Sequence, residues 1–597
     1  MKENISKFCK CLPTMALGTT LLLLGCTDND YDFDQVDLTV GIGGNELLLP
    51  SNSTDTIKLS DILDLNNSET VIIKPNGEYV FEQNGGNVEP ARPLIDKILV
   101  AKQTITSSDL NIDLAGLLPN MAKAQTTATS VQFPINISGN VHEIAYTGDK
   151  PTEVVSLDWA DVFATVNLNL EFSPMLSKLV PVIEQLTVEL PRFMKLGNVK
   201  TNVKFELNGS KITLYNVPTN QSLLLTEEIQ GLDFVNGNSD MGQLVIDDGK
   251  IKVDGKINVG IVASGTYDLA SGNMPTVGDV YIRSHIEMSD FEIRGAVGKF
   301  SPKINLDNLG SVNITGIPQF LTDEDVVLDL YNPQIQITLS NDMDAAGFIS
   351  GTLSSIKDGV EIASVDIPEM GIMANATTKI CICRNSNKVE GVYDVVMEVP
   401  NLSDLIRTIP DNILFKASAR ADETRTCSFE LGKQYTIQPS YKIEAPIMFG
   451  EDAVIVYNDS IDDLNKDLKD IELSENSYIT INSNIENRIP IYLDVKVEAI
   501  GVDGNVLNGI KVNVNNNIIA SADGVGSVVT PVEILLNQTE NGALKKLDKL
   551  MFVITGKAKS PDGNNSVVGK TLNSEKHFLI ARDIEIKLVG KVITDLN

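Results

Sequence analysis

Val166-Asn167-Leu168-Asn169-Leu170-Glu171-Phe172 alternates apolar with polar residues, and Ser173-Pro174 follows it. Successive side chains of a strand point to opposite faces, so this stretch presents one apolar and one polar face. One wet face is the mark of antiparallel sheets, whereas buried parallel strands read as continuous apolar runs separated by long helices. Ser173 is placed as an N-cap with Pro174 in the first turn, which predicts a short helix to about Val180, stopped by Pro181. Leu186, Val188 and Leu190 then resume the alternation.

The same grammar extends along the chain. Ile251-Lys252-Val253 and Ile257-Asn258-Val259 flank Asp254-Gly255-Lys256. A three-residue hairpin loop there sets Val253 opposite Ile257 and makes the apolar faces coincide, so a turn is expected. Ile335, Ile337 and Leu339 alternate after Asn332-Pro333, and Ile491, Leu493, Val495 and Val497 alternate after Asn487-Arg488-Ile489-Pro490, a repeat of strand, Asn/Pro break, strand. Ile461, Leu464 and Leu468 recur at helical spacing, with Ser460 and Asp463 placed as a capping box. The expected fold class is all-β: tandem antiparallel β-sandwich domains with a few short helices. The alternative for residues 41–300 is one elongated, curved sheet packed on short helices. A chain of 597 residues exceeds one core. Its expected division is 1–25 leader, 26–40 acidic tether, 41–165 N-terminal β domain, 166–300 β domain with a short helix, 301–440 β-sandwich and 441–597 C-terminal β-sandwich.

The leader has the layout of a secretory signal peptide. Lys2, Lys7 and Lys10 precede an apolar run from Met15 to Leu24, which is too short for a confident spanning helix. Leu23-Leu24-Gly25-Cys26 resembles the lipobox of bacterial lipoproteins, although Leu24 stands where a smaller residue is usual. The resemblance implies that Cys26 becomes the new N-terminus and is acylated with palmitate-type chains; two such chains make membrane anchoring stable. Asp28, Asp30, Asp32 and Asp34 resemble the surface-export signal of Bacteroidota lipoproteins. That implies the cell outer membrane, with the protein facing outward. No calcium loop of the helix-loop-helix type is present, because its glycine and distal glutamate are missing. Together with the Asn/Pro-broken strands, these features resemble large surface lipoproteins of gut Bacteroidales. The resemblance implies location and architecture, and no activity.

Composition narrows the partners. The formal net charge is −32, and Lys2, Lys7 and Lys10 against Glu3 put +2 of that on the leader. Such a chain repels nucleic acid and anionic lipid surfaces. Once Cys9, Cys11 and the anchor Cys26 are set aside, Cys381, Cys383 and Cys427 remain, an odd number that does not build a disulfide framework. Cys381 and Cys383 share one face of a strand and read as small core residues, with a pairing of either to Cys427 as the alternative if the fold brings them together.

Catalytic signals are sparse. His142, His285 and His577 sit in no metal or nucleophile motif, and chance carboxylate pairs are abundant among 80 acidic residues. No enzyme, cofactor or metal is expected. The expected role is binding or scaffolding at the cell surface, with a glycan or a surface protein as partner. Sugars stack their C–H faces on exposed aromatic rings, yet aromatics are 5% of the chain and Trp159 is the one tryptophan. Burial statistics place Trp159 in a core or domain junction, ahead of Tyr331 and Tyr492 as a platform. Asp55-Thr56-Ile57 and Asp459-Ser460-Ile461 resemble the O-glycosylation sequon of Bacteroidota, with Thr56 and Ser460 as acceptors. Two alternatives remain: a carrier of apolar ligands in a groove lined by Leu176, Leu179 and Val182, and a pilus-type subunit assembled by strand donation.

Overall fold

The computed structural model describes residues 70–590, apart from 86–87, 102, 115–128, 270–275, 277, 307–309, 316–324, 470, 474–475 and 524, together with the strand segments Val40–Gly41, Glu46–Leu48, Ile57–Lys58 and Val592–Thr594. Cys26 and Thr56 lie outside the described residues. Nearly all regular structure is strand, in sheets that pack as β-sandwiches and are antiparallel apart from the parallel pair Ala376–Cys383 with Val395–Glu398.

The first sandwich is built on unusually long strands. Ser130–Asp149 pairs with Lys250–Asp268 along its whole length in one sheet. Val154–Phe172 lies in the facing sheet between Leu223–Asp233 and the consecutive strands Tyr281–Met288 and Phe291–Phe300. These two sheets enclose Leu168, Leu170, Leu186, Val188, Leu214 and Val259, all 0–1% exposed. The alternation at 166–172 is thus the inner and outer face of a central strand. The lengthwise strands give the elongation of the one-sheet alternative, but two sheets face each other, and a short helix closes one end. That helix is Pro174–Leu179; the Ser173 hydroxyl accepts from the Leu176 N–H at 3.2 Å, and the helix ends before Pro181 as its sequence requires.

The expected hairpin at Asp254-Gly255-Lys256 is corrected by the pairing. These residues lie inside the strand Lys250–Asp268, in unbroken register with Glu143–Ala145. Gly255 is there because a Cβ would sit 2.7 Å from Pro191 Cγ and 3.3 Å from Phe193 Cζ. The turn comes earlier, at Asp248 and Gly249, both with positive φ, between Gly242–Asp247 and Lys250–Asp268.

A middle sandwich packs Ser311–Asn313, Asn412–Ala421, Gly347–Lys357 and Val360–Ile372 against a six-stranded sheet. Gln334–Asn341, Ala376–Cys383 and Ile437–Pro446 form the centre of that sheet, and Tyr79–Asn84 and Val71–Ile73 extend it. A C-terminal sandwich packs Val454–Ile461, Leu547–Lys557 and Tyr492–Gly501 against Tyr478–Asn487, Val528–Gln538, Ile510–Asn515 and Phe578–Val589. Glu46–Leu48 and Ile57–Lys58 pair with Phe578–Val589, and Val40–Gly41 with Val592–Thr594. The chain therefore visits the C-terminal, middle, first, middle and C-terminal sandwiches in that order, with one brief return from the middle sandwich to the first at Cys427–Glu430. The stretch 41–165 builds no sheet of its own; its strands are shared among all three.

The strand–break–strand repeat has a physical basis at a different position. Asn341 and Asn487 each end a strand and turn the chain into the facing sheet. Asn487 accepts from the Ile489 N–H at 2.8 Å and donates to Ile491 O at 3.1 Å and Ala520 O at 2.9 Å. Asn341 accepts from the Met343 N–H at 3.1 Å and donates to Ala345 O at 3.0 Å and Met373 O at 2.9 Å. Both side chains are buried. The equivalent of Asn487 is thus Asn341, at the end of its strand, and not Asn332 before it.

The capping box at Ser460 is also corrected. Ser460 lies in the edge strand Val454–Ile461, and the helix is only Leu464–Leu468, entered through Asp463 at φ 70° with no side-chain cap bond. The Ser460 hydroxyl donates to Asp462 Oδ1 at 3.0 Å.

Candidate functional site

Three positions of the strand Val154–Phe172 turn away from the core: Trp159, Asp161 and Phe163, alternating with buried Ala160, Val162 and Ala164. Trp159 is therefore not a core residue. It sits half-buried on the solvent face of the first sandwich. Irregular register on both sides of Leu157 sets the phase that turns it outward. Its indole N–H donates to Asp161 Oδ1 at 2.7 Å. Its benzo ring occupies the space above Gly231, where a Cβ would lie 2.1 Å from Cζ2. Asp161 fills the matching space above Gly295, where a Cβ would lie 2.4 Å from Oδ2. Phe163, 64% exposed, follows on the same face.

Strand register places this group in two transverse rows. Asp233, Trp159, Val297 and Ser428 form one row, and Lys195, Gly231, Asp161, Gly295 and Glu430 the next. Ser428 and Glu430 come from Cys427–Glu430, a strand that the middle-sandwich segment of the chain adds to this sheet. Lys195 pairs with Asp233 at 3.1 Å, and Asp233 also accepts from the N–H groups of Val235 and Asn236. Against the cost of its burial, those bonds and Lys195 hold the Asp233 carboxyl below the usual range. The result is an aromatic patch around a fixed carboxylate, on a sheet face. The sequence signal was the phase Trp-Ala-Asp-Val-Phe, small or apolar inward and aromatic or acidic outward; general burial statistics for tryptophan hid it.

The other named residues do not converge on this face. His142 is buried between the two sheets of the first sandwich, with Nδ1 bonded to the Ser107 hydroxyl at 3.0 Å and Nε2 to that of Ser284. A serine on each ring nitrogen resembles part of a nucleophile relay, but His142 and Ser284 are 1% and 5% exposed. Burial, then the neighbouring His285, pushes the His142 pKa down to about 4 from its ordinary 6.5. Its stabilising contribution is complete above pH 6.5 and is lost as pH falls from 6.5 to 4, about 3 kcal/mol in all. In urea unfolding followed by Trp159 emission, His142→Gln is expected to lose less stability than wild type between pH 6.5 and 4. His285 is exposed, 3.9 Å from Glu287, and His577 Nδ1 accepts from the Asn573 N–H at 3.0 Å.

The three described cysteines are free and buried. Burial pushes the Cys381 thiol up to about 12 and the Cys427 thiol up to about 11, so neither is a ready nucleophile. Tyr331 Oη accepts from Asn385 Nδ2 at 3.0 Å and its ring covers Gly569; Tyr492 is half-buried in a strand. The apolar groove expected along the helix is absent: Leu176 and Leu179 are sealed in the core and Val182 is 43% exposed. A gap between the sheets of the middle sandwich, beside Ile337, Ile349 and Phe415, holds only about 30 Å³, the room of a water.

No family model matches the chain, and no curated protein matches it. Among solved structures, a Parabacteroides distasonis protein described as secreted is similar at 16% identity and a TM-score of 0.35, over 47% of this chain and 81% of that one. The VP2 subviral particle of infectious bursal disease virus is similar at 8% identity and a TM-score of 0.14, over 90% of this chain and 86% of that one. A structure of Sulfolobus turreted icosahedral virus gives 9% identity and a TM-score of 0.11, over 84% and 92%. At scores this low the likenesses assign neither family nor ligand.

Proposed function

We propose that this protein is a lipid-anchored, outward-facing protein of the outer membrane that captures glycans without chemically altering them. The observation that carries the reading is Trp159, held over Gly231 by its bond to Asp161, with Phe163 exposed two positions beyond Asp161 on the same face. An aromatic ring fixed at a surface offers its π face to the C–H face of a sugar. A carboxylate oxygen beside it accepts sugar hydroxyls, and such charged acceptors make the stronger hydrogen bonds. The anchor rests on the Cys26 junction. No helix among the described residues is long and apolar enough to cross a membrane.

Two measurements test the reading. Calorimetric titration of the chain from residue 26 onward against soluble polysaccharides should give binding that Trp159→Ala weakens about tenfold or more. Equal binding by the variant would remove the platform. Growth of a Bacteroidales host with an alkyne-tagged palmitate should label the wild-type protein and not Cys26→Ala. Gly231→Ala is a sharper test of positioning. The added methyl group displaces the indole, so Trp159 emission should shift to the red and glycan affinity should fall without loss of Trp159 itself.

Ser460 gives an independent check. A sugar on its oxygen would remove the proton it donates to Asp462. Peptide mass spectrometry of the protein from its natural host should show hexose-series additions at Thr56 and Ser460; bare peptides at both sites would remove them as acceptors.

A further inference from the structure

The Trp159 face is not made by the first sandwich alone. Cys427–Glu430 pairs with Phe291–Phe300 at Gly295↔Glu430 and Val297↔Ser428, which continues both transverse rows. Cys427 and Phe429 point into the core while Ser428 and Glu430 are exposed. Thr426, just before this strand, donates to Asp158 Oδ2 at 3.4 Å, on the strand that carries Trp159. Arg294 O accepts the Leu431 N–H at 2.7 Å, so the added strand is tied at both ends.

Along the two rows the charged residues are the carboxylates Asp161, Asp233 and Glu430 and the cation Lys195. Lys97 flanks them beside Gly432, paired with Glu292 at 3.2 Å, and Arg294, Arg425 and Lys433 are near in sequence. Lys195 is engaged by Asp233 at 3.1 Å and by Arg192 O at 3.3 Å. Lys433 is engaged by Glu430 at 3.3 Å and lies 5.2 Å from the centre of the Tyr435 ring. A uronate or sulfate laid along the rows meets the Asp161 carboxylate beside the indole, and at the far end Glu430 in its pair with Lys433, while the one cation of the rows, Lys195, is paired with Asp233. A neutral glycan meets the same oxygens as hydroxyl acceptors. The net charge of −32 adds to the bias against polyanions.

Resting on the Trp159 reading, we infer that the site takes neutral, hydroxyl-rich glycans and is shared between two modules, with Ser428 and Glu430 as a second subsite across the sheet from Trp159. The geometry gives the sugar chain its direction. It runs transverse to the strands, along the rows, from the indole toward the strand Cys427–Glu430. Discrimination comes from like-charge repulsion, which is a device against the wrong ligand as much as a contact for the right one.

The test is affinity electrophoresis and calorimetry of the chain from residue 26 onward with neutral polysaccharides (β-glucan, mannan, galactan) and acidic ones (polygalacturonate, chondroitin sulfate). The expected result is binding to a neutral polymer, at least about tenfold weaker binding to the acidic ones, and about a fivefold loss in Glu430→Ala plus Ser428→Ala. Both substituted side chains are exposed, so the double variant should keep the wild-type Trp159 emission. Binding that depends on Trp159 but is unchanged in the double variant overturns the two-module site. Acidic polymers bound as tightly as neutral ones overturn the ligand class. Either result leaves the platform standing. Failure of every polymer to bind, or full binding by Trp159→Ala, overturns the platform itself.

Discussion

Glu227→Gln is expected to make the first sandwich more stable at pH 8 by about 3 kcal/mol, an unusual sign for a substitution in a core. Glu227 lies on the inner face of Leu223–Asp233, between Val166 and Val199 on the flanking strands, and is 1% exposed. Its Oε1 is buried with no hydrogen-bond partner, and the same holds for Thr201 Oγ1. Desolvation pushes the carboxyl up to about 8. The acid is therefore neutral in the folded chain at pH 7 and ionised in the unfolded one. Because the folded pKa is the higher, stability falls as pH rises from about 4.5 to 8 and is constant beyond it. The full loss is about 5 kcal/mol at 1.36 kcal/mol per unit. Glutamine removes that loss but buries an amide without partners, which costs about 2 kcal/mol.

His142 works in the opposite sense over part of this window. Its gain between pH 4.5 and 6.5 offsets the Glu227 loss, so these two groups leave a plateau there and a fall of about 2 kcal/mol from 6.5 to 8. Urea unfolding from pH 5 to 9 reads this directly. Trp159, the one tryptophan, belongs to the first sandwich and reports that unit rather than the others. The wild-type midpoint should drop above pH 6.5 and the Glu227→Gln midpoint should not. Parallel curves would mean that Glu227 is hydrated or paired in solution.

Asn487→Ala should cost the C-terminal sandwich about 4 kcal/mol. The substitution removes three buried hydrogen bonds and leaves the Ile489 N–H and the carbonyls of Ile491 and Ala520 without that partner. Each stranded buried group costs about 1–3 kcal/mol. Asn487→Asp is no rescue, because it turns a donor to two carbonyls into a carboxylate facing them. Hydrogen exchange should accelerate in Tyr478–Asn487 and Tyr492–Gly501, while urea unfolding monitored by Trp159 stays unchanged. The same change at Asn341 should act on the middle sandwich. Unaltered exchange at both corners would show that the turns hold without their asparagines.

Local patterns in the sequence were sound where one short interaction decides the outcome. The 166–172 alternation and the Ser173-Pro174 helix start needed only periodicity and capping. The 254–256 turn failed because Asp-Gly is a turn signal only when the glycine is not required elsewhere, and Gly255 makes room for Pro191 and Phe193. The true turn, Asp247-Asp248-Gly249-Lys250, carried a stronger signal close by. Trp159 was misplaced because a strand with irregular register changes phase, and phase decides which side a residue faces. The order of the sandwiches was not legible at all. Pairs such as Val40 with Thr594 are contacts across almost the whole chain, and nothing local announces them. The same holds for Ser428 and Glu430, which reach the candidate site only through long-range pairing.

The nested route of the chain has a mechanical meaning. A pull on the residues before Val40 enters the molecule at Val40–Gly41 and Glu46–Leu48, which are knitted to Val592–Thr594 and Phe578–Val589. Such a pull would thus be borne by the C-terminal sandwich, whose short edge pairings give way first. The first sandwich lies in the middle of the thread and off the direct load path, so its Trp159 surface would keep its shape while the stem strains.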